Sequence, residues 1–203
     1  MADSPARTIT VPDAIHERRS VRTYCRTPVG ESTIRALLDA AVQAPTALHA
    51  EPWAFVVVQN REVLQRLSDR AKAAWLKDAG EMRDLHAPGH DDHASQFAAA
   101  LARPDFNIFY DAPALIVICG KPMGMFVTAD CWLAAENLML SAYAMGYGTC
   151  CIGSAVPVLN LPAVKRELNI PPDVTAVAPI IVGVSSTRPP DVPRHPPQIL
   201  SWI

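Results

Sequence analysis

Residues 127–152 read VTADCWLAAENLMLSAYAMGYGTCCI, and the fold turns on how this stretch is read. Residues 127–145 form a long helical segment that is apolar nearly all round, with Trp132, Leu133, Leu138, Met139, Leu140, Tyr143 and Met145 spread over its circumference. Such a helix lies in a large core or inside a subunit interface. In a chain of 203 residues the interface is the expected place. Gly148–Ile152 then reads as a short buried strand.

Working outward, three further runs read as strands. WAFVVVQ at 53–59 and ALIVIC at 114–119 are short, β-branched and bare of polar residues, as buried strands are. VTAVAPIIVGV at 174–184 is the last, and its Pro179 predicts a strand end, an edge or a bulge. Between them lie helices. Ile34, Leu37, Leu38, Ala41 and Val42 repeat at helical spacing over 32–43, and Leu64, Leu67, Ala71 and Trp75 do so over 61–77. Short helices are predicted near Pro12–Arg18 and Pro162–Leu168. Residues 78–106 break the pattern and read as an irregular excursion or lid with one short helix near 94–102. The tail, 185–203, is rich in proline and ends in the apolar Ile199, Leu200, Trp202 and Ile203, as an arm that docks on something would. No repeat or linker divides the chain, so 1–203 is read as a single domain.

Composition narrows the function. Half the residues are hydrophobic, 19% are charged and the formal charge is −2, so no basic field points to nucleic acid. No uncharged apolar run reaches the roughly 18 residues of a membrane span. The start, MADSPARTIT, lacks the apolar core of a secretion signal, and five unpaired-looking cysteines predict reduced thiols and a cytoplasmic protein.

Four clusters could carry chemistry. Arg18-Arg19-Ser20-Val21-Arg22 sets three guanidiniums and a hydroxyl within five residues, which suits a phosphate monoester, although a solvated basic turn has the same composition. The loop from Ala44 to Trp53, bracketed by Pro45 and Pro52, joins a helix to a strand, where ligand loops and plain connections both occur. Gly146 to Ser154 fails the dinucleotide fingerprint, because Cys151 stands where glycine is needed and the segment runs from helix to strand. Adjacent Cys150 and Cys151 are poorly placed for a structural disulfide. His86, His90 and His93, with Asp91 and Asp92, have a zinc-like spacing, but Pro88 and Gly89 interrupt the helix that this spacing needs; no metal site is predicted.

RRSVRTY at 18–24, APTALHAEPWAFVVV at 44–58, FYDAPALIVIC at 109–119, AENLMLSAYAMGYGTCCIG at 135–153 and Arg194-His195-Pro196 together resemble the nitroreductase family of FMN-dependent oxidoreductases. The resemblance implies an α+β fold, with a mostly antiparallel central sheet flanked by helices. It also implies an intertwined homodimer with FMN in each of two interface clefts, the helix 127–145 at the dimer core and the tail around the partner. By position, Arg18, Arg19, Ser20 and Arg194 would hold the FMN phosphate and ribityl chain. Arg22 would face the pyrimidine side of the ring, where a cation stabilises the charge that reduced flavin develops. Pro45, Thr46, Ala47 and His49 would come from the other subunit, and the backbone of Cys151, Ile152 and Gly153 would face N5. The implied reaction is ping-pong reduction of a nitroaromatic, a quinone or a similar electron-poor small molecule by NADH or NADPH. The hydride is carried at flavin N5, so no side chain is expected to act as acid or nucleophile. Dehalogenation, oxidation or flavin binding with little turnover fit the same residues. The chain departs from the family at His49 and Glu51, where an asparagine and a glutamine are usual.

Overall fold

The structure is a computed structural model and describes residues 8–82, 96 and 99–203. Its frame is a four-stranded, fully antiparallel sheet built from β1 (Trp53–Val58), β2 (Ala114–Gly120), β3 (Gly148–Cys151) and β4 (Thr175–Gly183), in the order β1-β2-β4-β3. The helices are α1 (Val11–Glu17), α2 (Glu31–Ala41), α3 (Arg61–Met82), α4 (Val127–Ala144), α5 (Val156–Leu159) and α6 (Pro162–Glu167). This is the α+β arrangement, with an antiparallel central sheet, that the family resemblance implied.

The apolar strands are explained by burial on both faces. Along β2, Leu115, Val117 and Cys119 pack with Leu64, Leu67 and Ala71 of α3. The alternate residues Ala114, Ile116 and Ile118 pack with Leu37 and Ala41 of α2 and with Cys131, Ala135 and Leu138 of α4. A strand covered on two sides has no polar alternation to display. Pro179 sits inside β4, a central strand, and not at an edge or an end. It is tolerated because its carbonyl faces β3, where it accepts the N–H of Ile152 at 2.9 Å, just past the last β3 residue. The missing N–H points the same way, to where that ladder has run out. The expected irregularity lies close by, as a register shift opposite Ile118 and Cys119.

Two helices differ from expectation. α3 runs to Met82, five residues beyond the predicted end at Lys77. Gly80 costs a helix only about 1 kcal/mol, and its neighbours in Ala79, Glu81 and Met82 are good helix formers. Residues 78–82, read as the start of the excursion, are therefore helical, and of the short helix predicted near 94–102 the described residues 96 and 99–101 are helical. His86, His90, His93, Asp91 and Asp92 lie outside the described residues. α4 is not free for an interface all round: Cys131, Ala134, Ala135, Leu138, Met139 and Ala142 are buried in this chain's own core. Its other side exposes Trp132 and Leu133, next to the exposed Met125 and Phe126.

Leu138 is fully buried between α4 and the sheet. Leu138→Ala is expected to lower stability by about 2–5 kcal/mol, the range for a leucine cavity in a packed core. Chemical denaturation of the two proteins checks this.

Candidate functional site

The site is assembled around the end of α1. Thr10 caps this helix reciprocally: its Oγ1 accepts the N–H of Asp13 at 3.3 Å, and the Asp13 carboxylate accepts the N–H of Thr10 at 2.9 Å. Pro12 occupies the first turn, where its lost N–H does no harm. Arg18 is the C-cap residue, at the electronegative end of the helix. Arg19 Nη1 donates to the carbonyls of His16 and Arg18 at 2.6 and 2.9 Å.

Beyond Arg19 the chain joins the outer edge of β3. Ser20 bridges Thr149 in parallel, and the N–H of Val21 donates to the Thr149 carbonyl at 2.9 Å. Gly148 permits the approach, since a Cβ there would lie 2.5 Å from a Val21 methyl. The next residues are pinned from the start of the tail: the N–H of Cys25 donates to the Val184 carbonyl at 2.8 Å and that of Ser186 to the Thr23 carbonyl at 3.1 Å. Tyr24 donates its hydroxyl to the Val21 carbonyl at 2.8 Å, and burial pushes the pKa of that hydroxyl far above the usual tyrosine range.

Two cavities flank this segment. One, of about 370 Å³, is lined by Arg18, Arg19, Tyr143, Gly148, Thr149 and Arg188, among others. Around it, Arg18 Nε, Arg19 Nε and Thr149 Oγ1 are buried without a hydrogen-bond partner. Acids stand near it as well: Glu136 is 3.8 Å from Arg18, Asp191 is 3.6 Å from Arg19, and Glu17 lines the cavity. Buried donors left open cost free energy unless a further acceptor completes them. The other cavity, of about 310 Å³, brings together Arg22, Trp75, Tyr110, Cys151, Ile152 and Gly153. No atom lies within 4 Å of the place where a Gly153 Cβ would be, so the backbone there is open to the cavity. The Arg22 guanidinium stands 6.0 Å from the centre of the Tyr110 ring. Burial raises the Cys150 thiol against the opposing field of Arg22. Burial, with Cys150 beside it, pushes Cys151 up to about 11, so both thiols are neutral near pH 7 and neither is poised as a nucleophile.

Arg18, Arg19, Ser20, Arg22, Cys151, Ile152 and Gly153 are therefore drawn to one side of β3. Pro45, Thr46, Ala47 and His49 are not among the residues lining either cavity. They belong to the connection from α2 to β1, where Leu48, His49 and Glu51 all take left-handed backbone conformations, with φ of 53°, 56° and 45°. Three non-glycine residues held there store strain. Part of what holds them is Asp130, a buried carboxylate of α4 that accepts the N–H of Ala47 at 3.3 Å. His49 and Glu51 face each other at 3.4 Å on the surface. Arg194 is exposed in the tail and lines neither cavity. Sequence reasoning missed Thr149, Arg188 and Trp75. Helical spacing places Trp75 on one face with Leu64, Leu67 and Ala71, but does not show that its half-buried indole N–H donates to the Ser154 carbonyl at 3.0 Å. Nothing in the sequence separates Arg188 from the other polar residues of the tail.

The profile of the nitroreductase family matches residues 15–184. The chain belongs to the nitroreductase family. Among its relatives, a protein of Methanothermobacter thermautotrophicus provisionally named NADH dehydrogenase/NAD(P)H nitroreductase is 28% identical over 192 residues, covering 92% of this chain and 83% of that one. The nitrobenzene nitroreductase of Ectopseudomonas oleovorans is 26% identical, covering 85% of this chain and 86% of its own length. A nitroreductase from Bacteroides fragilis, solved with bound FMN, superposes with a TM-score of 0.74 at 25% identity, over 94% of this chain and 98% of that one. Oxidized iodotyrosine deiodinase, solved with FMN and 3-iodo-L-tyrosine, gives 0.72 at 18% identity over 94% and 97%, a likeness of fold alone.

The Gly148–Val21 contact gives a direct test of the nitroreductase site's scaffold. Gly148→Ala is expected to destabilise by about 1–3 kcal/mol through overpacking. Adding Val21→Ala removes the clashing methyls, so the double mutant should recover part of the loss. Denaturation curves for the three variants measure the coupling.

Proposed function

We propose that this nitroreductase-family chain is an FMN-dependent oxidoreductase in which NADH or NADPH reduces an electron-poor small molecule such as a nitroaromatic or a quinone. The observation that carries the reading is the set of open buried donors, Arg18 Nε, Arg19 Nε and Thr149 Oγ1, around one cavity, beside a second cavity walled by Arg22 and the backbone at Gly153. A phosphate monoester matches the first in charge and hydrogen-bonding capacity. A planar ring with a hydrogen-bonding edge suits the second. The residues present fit FMN, and the FMN reported with the Bacteroides fragilis relative supports the same cofactor here. The provisional name of the Methanothermobacter relative supports a nicotinamide donor.

In this reading Arg18, Arg19 and Ser20 bind the phosphate and ribityl chain, joined by Arg194 when the tail is docked. Bound FMN supplies the two-electron chemistry. Arg22 holds a positive charge at the pyrimidine edge, where negative charge develops on reduction. Cys151, Ile152 and Gly153 offer backbone to the N5 side. Neutral thiols at Cys150 and Cys151 leave the chemistry to the cofactor.

The working unit is a homodimer of single-domain subunits. Its support is apolar surface: Trp132, Leu133 and Phe126 at α4, and Leu200, Trp202 and Ile203 in the tail, are all exposed in one chain. The strained loop carrying Pro45, Thr46, Ala47 and His49 then lies over the partner's ring, and the tail from 185 crosses to the partner. No helix among the described residues is long and apolar enough to cross a membrane. A cytoplasmic setting with reduced thiols is part of the same proposal.

Purified protein supplied with FMN is expected to be yellow, to bleach on addition of NADH or NADPH, and to recover its colour when a nitroaromatic or quinone is added. A colourless protein that takes up no FMN sinks the cofactor reading. A yellow protein that neither nicotinamide bleaches sinks the donor reading and favours another flavin reaction. Arg18→Ala should weaken FMN by roughly 1.5–3 kcal/mol, or about ten- to a hundredfold, through loss of a charge-assisted contact. Titration of the apoprotein measures it.

A further inference from the structure

A third and larger cavity, about 550 Å³, shares Arg22 and Tyr110 with the one at Gly153, but the rest of its lining has no part in the proposed FMN site. Its polar wall is cationic. Arg22, Arg26, Arg61 and Arg103 line it, against the two carboxylates Asp105 and Asp111. Asp105 is already engaged by Arg103 at 2.7 Å. Arg26 and Arg61 have no ion-pair partner among the described residues. Arg61 is also the first residue of α3, where the helix dipole disfavours a cation. With Arg103 paired to Asp105, the lining is left with Arg22, Arg26 and Arg61 against the single carboxylate of Asp111, an excess of positive charge that an anion would offset.

The cleft is built rather than incidental. The turn that carries Arg103 is held by Lys72, whose buried ammonium donates to the carbonyls of Arg103 and Phe106 at 2.7 and 2.8 Å. Tyr110 and Asp111, on the facing wall, take left-handed conformations with φ of 52° and 54°. Phe106 and Tyr110 meet edge to face at 5.6 Å and give that wall an aromatic surface. The first N–H groups of α3 are not part of the site, because Asn60 Oδ1 already accepts those of Glu62 and Val63 at 2.9 and 3.1 Å. Recognition therefore falls to the guanidiniums, which bind phosphoryl oxygens bidentately.

We infer that this cleft binds a phosphorylated small molecule, with its phosphoryl or pyrophosphoryl group held by Arg26 and Arg61 and its organic body against Phe106 and Tyr110. The inference goes beyond the FMN reading and rests on it only in leaving this cavity unassigned. Two sources share the chemistry: the phosphates of the nicotinamide cosubstrate and a separate phosphorylated metabolite.

The test is calorimetric titration of FMN-loaded protein with inorganic pyrophosphate at low salt. Saturable binding is expected, weakened at least tenfold in Arg26→Ala/Arg61→Ala and in the milder Arg26→Gln/Arg61→Gln, and weakened also by added NaCl. Flavin absorbance and thermal melting in the same samples should match the parent, since both side chains are exposed. No binding at millimolar pyrophosphate, or equal binding by parent and folded variants, overturns the inference. Failure of the parent to take up FMN before the titration would instead count against the FMN reading, which keeps the two failures apart. A raised KM for NADPH or NADH in the variants identifies the cosubstrate as the source. Unchanged KM values with pyrophosphate binding lost identify a separate metabolite.

Discussion

The close contact of Val21 with Gly148 is the constraint on which the site depends. It lets residues 20 and 21 lie against the edge of β3 through a single parallel bridge, with the Val21 N–H on the Thr149 carbonyl. That seating fixes two things at once. Arg18 and Arg19 are left at the end of α1, beside one cavity, and Arg22 is delivered to another. A side chain at 148 would separate the arginine cluster from the strand that carries Cys151 to Gly153. The edge of β3, which could otherwise pair with another chain, is closed by the same contact.

The energetic cost of the site is spread over its surroundings. Arginine nitrogens are buried without partners, and left-handed backbone recurs at Leu48, His49 and Glu51 and again at Tyr110 and Asp111. A well-packed sheet can hold such features in place. β2 is buried along its whole length between α3 on one face and α2 and α4 on the other, so the loops at its ends hang from a rigid frame. Asp130 and Lys72 extend that frame outward, each a buried charged side chain spent on backbone groups of a loop.

The strands were legible because burial on two faces leaves runs such as ALIVIC with no other stable use, and α2 was legible from the spacing of Ile34, Leu37 and Ala41. The arginine cluster was visible as composition and as part of a family pattern. What composition could not supply was direction. RRSVR reads equally as a solvated turn until Thr149 and Gly148 give it a strand to lie on. Pro179 predicted a strand end, an edge or a bulge, and only the structure chose among them, because a sequence does not say on which side a neighbouring strand stops. Thr149, Trp75 and Arg188 were missed for the same reason, since each acquires its role from residues far away in the chain.

By itself the sequence determined the element types, from local periodicity, and the family, from motifs in a set order; the antiparallel α+β class came with the family resemblance. The tertiary structure alone decided the strand order β1-β2-β4-β3, the burial of one side of α4 in its own core, and the division of the arginines among separate cavities. Local propensity acts over a few residues. Cavities are made where segments a hundred residues apart are brought together, and only packing brings them there.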